Sequence, residues 1–69
     1  MKNSQINRVV AFLQNNSEYG FTAKEIAKKA AVRIQAVHNA KYFYPKIVDS
    51  EKVGTKNYYM INEEYNSNK

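Results

Sequence analysis

Cysteine is missing from this chain altogether. That excludes a disulfide framework and a thiolate metal site, and nothing in the composition points to an oxidising compartment. Histidine occurs once, at His38. With no cysteine or second histidine beside it, no metal site is expected. There are two glycines, Gly20 and Gly54, too far apart for a Walker-type loop and too few for a dinucleotide fingerprint. No nucleophile–base pair is legible either. Glu63 and Glu64 are neighbours whose side chains diverge, a solvated pair rather than an acid and its base. The expectation is no enzyme and no cofactor. Long apolar runs are also lacking. The longest, Val9 to Leu13, falls far short of the roughly 20 residues that span a bilayer. The opening MKNSQINR has no apolar signal-peptide core. A soluble, cytoplasmic protein without a membrane partner is expected.

Acid is scarce where it matters most. The 69 residues carry 11 Lys and Arg against 6 Asp and Glu, a net charge of +5. Lys24, Lys28, Lys29, Arg33, Lys41 and Lys46 fall in one segment whose only acid is Glu25. Asp49, Glu51, Glu63 and Glu64 lie later, near a hairpin base and the tail. A basic cluster with acids set apart is the footprint of a polyanionic partner. The plainer alternative is a solvated lysine face that serves solubility. The length predicts a single domain over residues 1–69. A chain this short buries about 60% of its unfolded surface, so every element has to contribute to one core.

Helix patterns fill the first two thirds. Ile6, Val9, Val10 and Leu13 follow the spacing of one buried face, which predicts a helix over Gln5 to Gln14 with Ser4 as its N-cap. Phe12 is off that stripe and is expected under a hairpin. Asn15, Asn16 and Ser17 compete for backbone hydrogen bonds and end the helix. Tyr19-Gly20-Phe21 reads as a very short strand. Thr22 and Glu25 form a capping box, with Phe21 and Ile26 as the matching hydrophobic staple, so a second helix starts at Ala23. Its inner stripe is Ile26, Ala27 and Ala30. Ala31-Val32-Arg33 interrupts the pattern, and a third helix restarts near Ile34 with Val37, Ala40 and Tyr44 inward. Tyr44-Pro45 ends it, because a residue before proline avoids the helical region. Left facing outward are Arg33, Gln35, His38, Asn39 and Tyr42, spaced to make one continuous face.

Two strand-like runs follow, Ile47 to Lys52 and Asn57 to Asn62, around a turn at Val53-Gly54-Thr55-Lys56. Glycine before a polar residue suits a two-residue hairpin loop. The implied register sets Val48 opposite Ile61 and Ser50 opposite Tyr59. Tyr44 and one of Tyr58 and Tyr59 are expected to supply core. Residues 63–69 read as a frayed polar tail.

The order of small and apolar positions resembles the helix-turn-helix of winged-helix DNA-binding proteins. Ile26, Ala27, Ala30, Val32, Val37 and Ala40 carry the likeness, and Pro45 with KIVDSEKVGTKNYYMIN extends it through a wing-like hairpin. It spans roughly Ser4 to Asn62. One departure stands out: the family usually has Gly where this chain has Ala31, because the backbone there tends toward positive φ. Alanine in that conformation costs about 1 kcal/mol. The fold class expected is therefore α+β, a small winged helix of three helices and a C-terminal hairpin.

By that resemblance, the third helix would enter the major groove of double-stranded DNA and the hairpin tip would touch the flanking backbone or minor groove. Arg, Gln and Asn have the fork and amide geometry that matches base edges. Arg33, Gln35 and Asn39 are thus expected at bases, with His38 and Tyr42 beside them. Lys24, Lys28, Lys41, Lys52, Thr55 and Lys56 are expected at phosphates and the wing, where they set affinity without reading sequence. The role expected is a transcriptional regulator, or an accessory factor in recombination or replication. No effector domain is legible, so no small-molecule control is expected. The small footprint implies a homodimer or a partner protein. Two other classes stay open. A winged helix can instead dock a protein, here an acidic or DNA-binding one. The six tyrosines, interleaved with lysine, could also stack on single-stranded nucleic acid or RNA.

Overall fold

Ile6, Val9 and Leu13 are buried, and Val10 is half-buried at the edge of the same stripe. They lie on the first element of a computed structural model that describes residues 4–67. In chain order it comprises α1 (Ser4–Asn15), α2 (Ala23–Ala30), α3 (Ile34–Phe43), β1 (Val48–Val53), β2 (Lys56–Ile61) and α4 (Glu63–Ser67). The fold class is α+β, with three helices followed by an antiparallel hairpin in the layout of a winged helix. Ser4 is the first residue of α1, so it is not the N-cap expected of it; that position falls outside the described residues.

One core joins the elements. Ile26 from α2, Ala36, Val37 and Ala40 from α3, and Val48, Tyr59 and Ile61 from the hairpin close on the α1 stripe. Ala27 and Ala30 are only half-buried, so the α2 stripe narrows to Ile26. Ala36 joins the buried face of α3 beyond the residues expected there. Phe12 packs edge-on against Phe21, with ring centroids 4.9 Å apart. Tyr44 is half-buried, as is Tyr58, while Tyr59 is the buried member of the tyrosine pair.

The hairpin has the expected register, Val48 opposite Ile61 and Ser50 opposite Tyr59. Its arms run one residue nearer the tip than expected, because Ile47 belongs to the tight turn after Tyr44, donating its N–H to the Tyr44 carbonyl at 3.0 Å. Gly54 takes φ +65 at the first loop position, a conformation that suits glycine. Phe21 bonds β2 in both directions, its N–H donating to the Tyr59 carbonyl at 2.9 Å and its carbonyl accepting from the Tyr59 N–H at 2.6 Å. The short strand expected at residues 19–21 is thus a single bridge.

The tail departs from expectation. Residues 63–67 form α4 rather than a frayed end. Asn62 Oδ1 accepts from the Tyr65 N–H at 2.8 Å, capping the helix, and Glu63 and Glu64 supply the acidic first turn that favours its start. Tyr65 packs against the core. Residues 68 and 69 lie outside the described part. No helix among the described residues is long and apolar enough to cross a membrane.

Candidate nucleic-acid interface

The site is built on the turn between α2 and α3. The capping box forms as expected: Glu25 N–H donates to Thr22 Oγ1 at 3.3 Å and Thr22 N–H to Glu25 Oε1 at 2.9 Å. At the other end of α2, Ala31 sits at φ 58 and ψ 50, in the left-handed region. The Val32 N–H reaches back to the Ala27 carbonyl at 3.0 Å. This is the Schellman arrangement, in which the left-handed position is ordinarily glycine. The chain therefore makes the helix-turn-helix bend with an alanine in the strained place.

Two α1 side chains brace that bend. Arg8 Nη1 donates to the Ala31 carbonyl at 3.2 Å. Gln5 Oε1 accepts from the Arg33 N–H at 3.1 Å, taking up a donor at the start of α3 that has no partner within its own helix. Arg33 is the N-cap of α3 but makes no capping bond with its side chain, so its guanidinium remains on the exposed surface. Neither Gln5 nor Arg8 was expected at the site. Their spacing on α1 was legible, but their partners lie 28 and 23 residues away.

All five residues expected to face outward from α3 do so to some degree. Arg33, Gln35, His38 and Tyr42 are exposed and Asn39 is half-buried. They are not independent. Gln35 Nε2 donates to Asn39 Oδ1 at 3.1 Å. His38 Nδ1 and the Tyr59 hydroxyl are hydrogen-bonded at 3.2 Å, which turns His38 toward the hairpin edge of the face. Ile34 is 43% and Phe43 60% exposed; neither was expected at the surface, and Phe43 packs edge-on against Tyr42 at 5.0 Å.

The expected phosphate contacts divide. Lys24, His38, Lys56, Asn57 and Tyr59 line a groove of 370 Å³ between α2, α3 and the start of β2. Two lysines and the histidine thus line one groove at the edge of the α3 face. Lys28 is one helical turn from Lys24 and shares its strip of α2. Lys41 is half-buried on α3. Lys52 and Lys56 both flank the tip, but the register pairs Lys52 with Asn57 and Val53 with Lys56. Cross-strand partners share a face and neighbours alternate, so the two lysines belong to opposite faces. Lys56 lines the groove, and Lys52 shares its face with Asn57, which lines it as well. Thr55 is exposed in the loop. Comparison with family models, curated proteins and solved structures finds no match.

Proposed function

We propose that this chain binds double-stranded DNA through α3, with the hairpin as a wing. One observation carries the reading. The polar face Arg33, Gln35, His38, Asn39 and Tyr42 lies beside the groove that Lys24 and Lys56 line. Base-reading chemistry and phosphate-binding chemistry thus share one side of the molecule. A helix of this width fits the major groove, and lysines flanking it meet the phosphates on either side. The biological setting that suits such a domain is transcriptional regulation, or an accessory step in recombination or replication.

Selection of duplexes from a random library tests this directly, since it reads binding and specificity together. Enrichment of a motif is the expected outcome. On that motif Arg33→Ala should cost about 1–3 kcal/mol and relax preference at one position. Recovery of random duplexes only, with affinity independent of salt, would remove the reading.

A second reading has its own support. Tyr42 and Phe43 are 77% and 60% exposed and stack edge-on at the end of α3. Such a pair fits a protein-docking surface as well as a DNA one. A pulldown after nuclease treatment separates the two: a partner retained without nucleic acid, and lost on Tyr42→Ala plus Phe43→Ala, would favour docking.

A further inference from the structure

Gln35 and Asn39 are one helical turn apart on α3, and the bond from Gln35 Nε2 to Asn39 Oδ1 fixes how each amide is turned. A primary amide offers two N–H donors and one carbonyl oxygen. The bidentate pairing of glutamine with adenine uses the carbonyl oxygen and one N–H, against adenine N6 and N7. It leaves the second N–H over, which is free to stay with Asn39 Oδ1. Gln35 is exposed while Asn39 is half-buried, so the glutamine is the outer member of the pair. A bidentate contact by Asn39 would have to share the oxygen that holds Gln35, through its second lone pair.

We propose that the two amides read a single base pair as one unit. Gln35 makes the bidentate contact to an adenine, and Asn39 is a positioning residue that sets the Gln35 side chain before DNA arrives. A long side chain ordered in advance loses less rotamer freedom on binding, which strengthens its discrimination. This rests on the duplex-binding reading above, and it makes a narrower claim: the pair contributes one specified position to the target, not two.

The experiment is duplex selection followed by competition binding at fixed salt, on the parent chain and on Gln35→Ala, Asn39→Ala, the double variant, Asn39→Asp and Gln35→Glu. Both positions are at the surface of α3, and thermal melts confirm that each variant folds. The parent should enrich one adenine. Gln35→Ala should lose about ten-fold of preference there. Asn39→Ala should lose part of the preference at the same position, and the double variant should be no worse than Gln35→Ala. Asn39→Asp keeps an acceptor where Gln35 needs one, so it should retain the preference while its added negative charge weakens binding to every duplex. Gln35→Glu offers acceptors only and should move the preference toward cytosine. Two variants that relax two different positions additively would show independent readers and overturn the proposal. Loss of the preference in Asn39→Asp as complete as in Asn39→Ala would overturn it too. A parent chain that enriches no motif at all would remove the duplex reading, and the pair's role with it. That result is distinguished by the parent alone, before any variant is compared.

Discussion

Ala31 is the residue that most directly exposes what the bend costs. Its φ of 58 is where an L side chain meets its own backbone. The side chain is exposed, so no packing is lost by removing it. Ala31→Gly is therefore expected to be neutral or to stabilise by up to about 1 kcal/mol, the strain relieved being partly offset by a freer unfolded chain. A thermal melt gives the sign, and a clear fall in Tm would mean that the left-handed turn is not what the folded protein holds in solution. The bend was legible in the sequence because Thr22, Glu25 and the small residues of α2 act locally. Its bracing was not. Gln5 and Arg8 look like ordinary polar residues of α1, and only folding brings them to the Arg33 amide and the Ala31 carbonyl.

Among the elements, the hairpin carries two distinct duties. Its inner face supplies core through Val48, Tyr59 and Ile61, while its tip carries Lys52 and Lys56. Lys52→Ala plus Lys56→Ala should leave stability within about 0.5 kcal/mol, as exposed substitutions generally do. Duplex binding should nonetheless fall several-fold at low salt, with the gap shrinking as salt rises. Because Lys56 lines the groove and Lys52 shares its face with Asn57, which lines it too, Lys56→Ala and Lys52→Ala should each reproduce part of that loss. Equal affinity at low salt would take the wing out of the interface. Tyr59 links the two duties through its hydroxyl at His38. Tyr59→Phe keeps the ring in the core and should cost about 0.5–1.5 kcal/mol for the lost bond. It should also weaken duplex binding, since α3 and the wing lose a side-chain tie. A variant indistinguishable from the parent in both melt and gel shift would show that the tie has no mechanical part. The strand register was legible because Val48 and Ile61 had to share the core face. The last helix is faint in the sequence although Asn62-Glu63-Glu64 offers a cap and an acidic first turn. Five residues are too few to show a helical period, and the docking of Tyr65 is a tertiary event.

At the scale of the whole molecule, the longest dimension is 31 Å. Two half-sites on one side of DNA lie about 34–36 Å apart, so on the duplex-binding proposal one copy would cover a single half-site. Selected targets should therefore contain two related half-sites, and sedimentation of the saturated complex should give two copies per duplex. Full affinity for an isolated half-site, with one copy bound, would argue against paired binding. The net charge of +5 acts at this scale as well, steering any polyanion toward the protein without choosing among sequences.

Tyr59 also sets the order in which the molecule can be completed. Its backbone clasps Phe21, and its hydroxyl meets His38, 21 residues earlier in the chain. Synthesis delivers the helix-turn-helix before the strand that locks it. On a translating ribosome the three helices would emerge with their shared core still open, and contacts of such long sequence separation form slowly. Nascent chains arrested after Gly54 are expected to be cut readily by protease, and chains carrying β2 clear of the exit tunnel to resist. Equal resistance at both lengths would show that the helices close without it. For this chain, then, the exposed face of α3 would become a defined shape only after the wing has been made.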